Sequence, residues 1–280
     1  MSEPTLHTSL VRPKHTEPSH SLLVLHGILG SGSNLRSLAQ RLVQADPSLQ
    51  AVLVDLRLHG RSQGFPEPHT VGRCAEDLAA LAAGLAVPVT QVLGHSFGGK
   101  VALAFHAMRP DLQRVMLLDS MPGARESAYG SEQTYAILAL LERLPALYPK
   151  REVFLERVVA EGQSRAIAEW LAMNLERTAD GFRLRFDTRG IRALLNDYFA
   201  LDLWPVVEGS RAQVDVVIGG RSAVFRAEDR ARFEALEATH PAQYRLHVLK
   251  DAGHWVHVDD FEGLARALTG GAQASSAETP

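Results

Sequence analysis

Six short segments rich in apolar residues divide this chain, at residues 21–25, 51–55, 89–93, 115–119, 214–219 and 244–249. The continuous ones, such as 21–25 and 51–55, predict strands buried on both faces, as in a parallel sheet, and the others read as further strands. Helical patterns separate them. Residues 34–44 keep Leu35, Leu38, Ala39 and Leu42 on one face; residues 71–85 and 96–108 also read as helices, the latter broken by Arg109-Pro110-Asp111. This alternation predicts a doubly wound α/β core with a mostly parallel sheet and right-handed crossovers. Residues 5–12 partly alternate and predict an edge strand, followed by a polar, proline-bearing loop to residue 20.

The rhythm stops at residue 122. From there to residue 209 no comparable strand pattern occurs, and helical patterns at 132–144, 152–161 and 164–175 are punctuated by Pro145, Pro149 and Pro205. Strand, helix (227–238), strand and helix (261–268) then complete the core. The expected organisation is a core of residues 1–121 and 210–270, a helical cap over 122–209, and a disordered small-residue tail at 271–280. An insertion after a strand's C-terminal end lies over the edge where open parallel sheets bind ligands, so a lid is expected.

Composition narrows the class. Apolar residues make up 46% and charged residues 22% of 280, ordinary for a globular enzyme. A net charge of −3 and the lack of a basic cluster argue against a nucleic-acid partner. The one cysteine, Cys74, rules out an internal disulfide or cysteine-based metal cluster and is expected to be a buried small hydrophobe. No apolar run approaches the ~20 residues needed to span a bilayer. With no secretory signal visible, a cytoplasmic location is expected.

Chemistry concentrates where strands end. The third run leads into Gly94-His95-Ser96-Phe97-Gly98, a G-x-S-x-G pattern between a strand and a helix. A serine at so tight a corner needs neighbours without Cβ atoms, which Gly94 and Gly98 supply. Its hydroxyl needs a base, and His254, in Ala252-Gly253-His254-Trp255 after the last strand, is the best placed of twelve histidines. His257 is the nearest competitor and is expected to enter the final helix. The acid is less direct. After residues 214–218 the turn Gly219-Gly220-Arg221-Ser222 carries no carboxylate. Asp119, at the end of the strand after the nucleophile's, is preferred; Asp215 within a strand and Glu228 and Asp229 within a helix are the alternatives. Asp119 could also simply cap the turn at Ser120-Met121-Pro122.

The backbone N–H groups of Phe97 and of Ile28, in His26-Gly27-Ile28, are the expected oxyanion donors. His26, Gly27, His95 and Trp255 are candidate pocket residues, with His26 expected to brace its loop. The cluster Asp55-Leu56-Arg57-Leu58-His59-Gly60-Arg61-Ser62 is expected to be structural, Arg57 binding an anionic substrate being the lesser alternative.

These four segments, His26–Ser31, Asp55–Ser62, Gly94–Lys100 and Ala252–Trp255, together resemble the α/β-hydrolase superfamily, and within it small acyl esterases of the YbfF type. The resemblance runs from about residue 22 to residue 268. It implies an α/β-hydrolase fold, a carboxylic ester or thioester hydrolase, no cofactor and no metal. It also supports Asp119, since this branch resembles a variant with the acid on the strand after the nucleophile. Leu58 departs from the asparagine frequent in that loop. The expected reaction is two-step acyl transfer to water from a small-molecule acyl ester or thioester. Cofactor-free haloperoxidase, perhydrolase or C–C bond hydrolase chemistry uses the same serine triad and remains an alternative. A non-catalytic ligand-binding protein on this fold is a further one, and oligomeric state is open.

Overall fold

All six segments form strands, and burial on both sides explains why 21–25 and 51–55 lack alternation, whereas 244–249 lies at the sheet edge with exposed positions. The computed structural model describes residues 4–125, 132–185 and 187–270. It runs β1 (Thr8–Val11), β2 (His20–Leu25), a 3₁₀ turn (Gly32–Leu35), α1 (Arg36–Ala45), β3 (Leu49–Val54), α2 (Val71–Ala83), β4 (Val89–His95), α3 (Phe97–Met108) and β5 (Arg114–Leu118). The insertion follows as α4 (Glu132–Arg143), β6 (Leu147–Tyr148), α5 (Arg151–Ala160), α6 (Arg165–Ala172), β7 (Leu175–Thr178), β8 (Gly181–Leu184), α7 (Thr188–Ala200) and α8 (Trp204–Glu208). The core resumes with β9 (Gln213–Gly219), α9 (Ala227–Thr239), β10 (Tyr244–Leu249), α10 (Val256–Asp259) and α11 (Phe261–Thr269).

Among the described residues the main sheet has seven strands in the order β1-β3-β2-β4-β5-β9-β10. Only β1 is antiparallel to its neighbour. The strand order reverses between β2 and β4, so the loops after these two strands flank the crevice that doubly wound sheets use for ligands. Alternate residues of one strand feed opposite faces. Leu23 and Leu25 pack with α2 and α3, whereas Leu22 and Val24 pack with α1 and α11. Side chains of the insertion, including Leu138, Phe154, Leu171 and Leu194, join the α2–α3 cluster rather than forming a separate core.

The insertion is helical but carries a feature the sequence pattern did not disclose: a three-stranded antiparallel sheet, β6-β8-β7. The helix read at 164–175 stops at Ala172, and Leu175 begins a strand. The two longer strands, Leu175-Glu176-Arg177-Thr178 and Gly181-Phe182-Arg183-Leu184, pair with charged side chains outward. Such short, half-exposed segments have no apolar run to announce them. The tail beyond residue 270 lies outside the described residues. Among the described residues, no helix is long and apolar enough to cross a membrane.

Candidate active site

Four parallel strands, β2, β3, β4 and β5, deliver a strained residue to the same sheet edge. Among the described residues the non-glycine positions with positive φ are Leu29 (60°), Leu58 (65°), Ser96 (53°) and Asp119 (44°). Each such backbone costs about 1–3 kcal/mol and persists only where its surroundings over-determine it. At Ser96 the surroundings are glycines. A Cβ at Gly94 would fall on the Gly98 carbonyl, and one at Gly98 would lie 2.6 Å from the carbonyl oxygens of Leu25 and His26. The Ser96 N–H donates to Leu118 O at 2.9 Å, and the Ser120 hydroxyl donates to Ser96 O at 2.6 Å, so β5 holds the corner from one side.

The side chains meet in series. The Ser96 hydroxyl is 3.0 Å from His254 Nε2, and His254 Nδ1 is 2.7 Å from Asp119 Oδ2. A carboxylate can only accept, so Nδ1 carries the hydrogen and Nε2 is free to accept from Ser96. Asp119 is fully buried and takes two more hydrogens, from Gly219 N–H at 3.0 Å and from the Ser222 hydroxyl at 2.5 Å. Ser222 is the member that sequence reasoning missed. Its signal is its place in the β9 exit turn, which carries no carboxylate; the hydroxyl reaches the carboxylate that arrives from β5 instead.

The other carboxylates lie elsewhere. Asp215 pairs with Arg114 at 2.6 Å, in register with Arg114's end of the sheet and not with the serine's. Asp229 sits in the first turn of α9, its carboxylate accepting from Arg226 N–H, and Glu228 pairs with Arg226. His257 belongs to the short α10 and not to the final helix. Its ring meets His95 edge-on at 4.8 Å, and burial, then the neighbouring His254, push it down to about 4. His95 donates from Nε2 to the His254 carbonyl at 2.9 Å, steadying the loop that carries His254. Burial, then His254 and His257, hold His95 well below the usual imidazole range.

Two further histidines brace the loops with the same pair of bonds. The Leu56 N–H donates to His26 Nε2 at 3.0 Å, and His26 Nδ1 donates to Gly27 O at 2.7 Å. The Leu29 N–H donates to His59 Nε2 at 3.1 Å, and His59 Nδ1 donates to Arg57 O at 2.9 Å. Both rings are therefore needed neutral. Burial, with neighbouring His26, pushes His59 from 6.5 down to about 3. The unfolded chain takes up that proton below pH 6.5 while the folded chain refuses it, so this stability is present above 6.5 and lost as pH falls towards 3. The loss runs at about 1.4 kcal/mol per pH unit. His59→Gln, whose amide can make the same two bonds, is expected to show a smaller drop in guanidinium midpoint between pH 7 and pH 5 than the parent. An equal drop would remove His59 as the source.

The 55–62 cluster proves structural. Asp55 accepts from the Gly32 and Arg61 N–H groups at 2.8 and 2.9 Å. Arg57, 3% exposed, makes a two-pronged pair with Asp77 at 2.6 and 2.9 Å and so is turned away from any substrate. Leu58 occupies a left-handed position that asparagine tolerates better. Its buried side chain fills the space beside Gly190 of α7, where a Cβ would collide with it.

His26, Gly27, Ile28, His95, Ser96, Phe97, His254 and Trp255 all line one cavity of about 580 Å³; Asp119 stands behind His254, outside it. Phe97 opens α3, so its N–H has no partner within that helix. The insertion supplies Ile137, Ile167, Trp170, Leu195, Tyr198 and Phe199 to the same walls, and Trp170 meets Trp255 across the cavity with ring centroids 5.7 Å apart. These wall residues were not legible beforehand, since the path of the insertion decides which of its apolar side chains face the serine. A shallower groove of about 640 Å³ between β10 and α11 shares no lining residue with this site. Among the described residues no three His, Cys, Asp or Glu side chains are grouped to hold a metal ion.

Comparison with known proteins agrees with the architecture. The sequence profile described as the alpha/beta hydrolase family matches residues 22–267. A Danio rerio protein named sn-1-specific diacylglycerol lipase ABHD11 is 29% identical over 250 residues, covering 86% of this chain and 74% of its own. Esterase YbfF of Escherichia coli is 26% identical over 262 residues, covering 92% and 96%. Among solved structures, one titled marine microorganism esterase superposes with a TM-score of 0.80 at 24% identity, over 95% of this chain and 98% of that one.

Proposed function

The chain belongs to the alpha/beta hydrolase family, and from that premise we propose that it is a serine esterase acting on uncharged acyl esters through an acyl-enzyme. The observation that carries this reading is the hydrogen-bonded series Ser96–His254–Asp119, at 3.0 and 2.7 Å. An inert binding protein has no use for a serine held in a strained backbone with its hydroxyl on an oriented imidazole. Relatives named as an esterase and a lipase point to the same bond type.

In this mechanism His254 Nε2 takes the Ser96 proton as the hydroxyl attacks the ester carbonyl. The N–H groups of Phe97 and Ile28 bind the oxyanion, each worth about 3 kcal/mol of transition-state stabilisation. His254 then gives its proton to the departing alkoxide. Water, activated by the same imidazole, releases the acid, while Asp119 holds the Nδ1–H tautomer throughout. The 122–209 insertion acts as the cap that walls the acyl chain from solvent.

The charge of the cavity supports an uncharged substrate. Among its lining residues none is Lys or Arg, and the one carboxylate is Asp259. Acyl-coenzyme A carries phosphates that recognition sites meet with such cations. A panel of p-nitrophenyl esters from acetate to laurate, set against acyl-coenzyme A thioesters of equal length, tests this. The best ester is expected to exceed its thioester counterpart by about tenfold or more in kcat/KM, the cost of one unmet charge contact. Equal rates would overturn the preference for uncharged substrates; no turnover of any ester would overturn the esterase reading.

A further inference from the structure

A buried ammonium stands outside the catalytic series. Lys100, on α3 four residues after Ser96, is 1% exposed. Its Nζ donates to Gly123 O at 2.8 Å, Leu201 O at 2.7 Å and Tyr198 O at 2.5 Å. It also lies 4.6 Å from the centre of the Tyr198 ring. These acceptors come from both ends of the insertion: Gly123 where the chain leaves β5, Tyr198 and Leu201 where α7 ends and the chain returns. The two crossings bond to each other as well. Arg125 N–H donates to Phe199 O at 2.7 Å, and Leu203 N–H donates to Pro122 O at 3.0 Å. The insertion thus joins the core through a narrow two-stranded neck with an ammonium set into it.

The chemistry of the site selects a lysine. Three carbonyl oxygens converge on one point, and an ammonium is the side-chain group with three hydrogens and no lone pair to be left unsatisfied. Two of the acceptors belong to the C-terminal end of α7, whose dipole favours a cation there. The neck is also close to the reaction: Tyr198 and Phe199 are cavity walls, Leu195 lies one turn back on the same helix, and the Tyr198 ring sits 5.9 Å from that of Phe97, the residue after the nucleophile.

We propose that Lys100 is a positioning residue that pins the neck of the insertion to the nucleophile helix and thereby sets the distance between the α7 wall and Ser96, which makes it a determinant of acyl-chain selectivity. The selectivity part rests on the esterase reading above; the pin itself does not. A purely structural lysine would lower stability when removed but leave the ranking of substrates alone. A pin on the wall changes the ranking, because chain lengths are distinguished by where that wall stands.

The test is Lys100→Met in the full chain, with p-nitrophenyl acetate, butyrate and octanoate. Assays are run at about pH 6 so that the ammonium, drawn down to about 7 by burial and Arg125 against the pull of Asp202 and Asp197, still carries its charge in the parent. Rates are normalised to sites labelled by a fluorophosphonate. The ratio of kcat/KM between the best and worst ester is expected to shrink by about fivefold, mainly through KM. Amide hydrogen exchange at Arg125 and Leu203 is expected to accelerate by about tenfold or more as the neck loosens. A uniform fall across all esters with the ratio kept would overturn the selectivity role, and unchanged exchange at both amides would overturn the pin. Exchange needs no substrate, so it judges the pin even if no ester is turned over. Should Lys100→Met not fold, Lys100→Gln, which keeps two donors, carries both readouts with an expected change of about twofold in the ratio.

Discussion

Ser96→Ala is expected to lower kcat for p-nitrophenyl butyrate by about five to six orders of magnitude and to abolish labelling by a fluorophosphonate. The size follows from what the alanine leaves behind. The N–H groups of Phe97 and Ile28 would still polarise a carbonyl, and the cavity would still exclude water, so some acceleration over the uncatalysed rate survives. The covalent route would not. With Oγ gone, His254 Nε2 faces a gap at the 3.0 Å position where it now receives a hydrogen, and among the described residues no other serine bonds to it. Folding should be unaffected or improved, because alanine keeps the same backbone while removing a hydroxyl. Labelling that persists in Ser96→Ala would move the nucleophile elsewhere.

Asp119→Asn should cost about four orders of magnitude in kcat while leaving the fold intact. An asparagine oxygen can still accept from the Gly219 N–H, but its NH₂ would then face His254 Nδ1 and Ser222. Ser222 can rotate its hydroxyl to accept. The imidazole answers by moving its hydrogen to Nε2, the tautomer that cannot take a proton from Ser96. Asp215→Asn is the control. That residue sits at the far end of the sheet, fully buried against Arg114, and breaking such a pair costs about 3 kcal/mol of stability or more. Turnover per folded molecule should remain within about a factor of two, since substitutions well away from the site leave its stabilisation of the transition state untouched. Steady-state kinetics with guanidinium unfolding of both variants separates the outcomes. Loss of turnover in Asp215→Asn with Asp119→Asn near the parent would reassign the acid.

Much of this arrangement was legible because the residues involved obey strong local rules. A strand buried on two faces is mostly apolar, so β2, β3 and β5 declare themselves. A serine corner must be flanked by glycines, so Gly94 and Gly98 mark Ser96. Histidines at strand exits are few enough that His254 could be chosen by position. What stayed hidden depended on partners distant in sequence. Ser222 became meaningful only when Asp119 arrived from another strand to meet it. The small sheet of the insertion rests on pairing between β8 and two short neighbours, with no periodic signal of its own. His257 was misplaced because a four-residue helix, ended at Asp260 by the cap of the next one, reads as part of its neighbour. The walls of the cavity come from α4, α6 and α7, whose approach to Ser96 is a matter of tertiary packing.

The position of Asp119 in chain order also bears on how the insertion can vary in length. In the proposed mechanism, nucleophile and acid both precede residue 122 and are tied across adjacent strands by the Ser96 N–H to Leu118 O bond. The base alone arrives after the insertion. In an arrangement with the acid on β9, every change in length or path of the inserted segment lies between two members that must stay in register. Here it lies between a finished pair and a histidine whose loop is anchored separately by His95. A change in the length of the segment over the cavity would therefore leave the Ser96–Asp119 spacing untouched and bear only on where His254 stands.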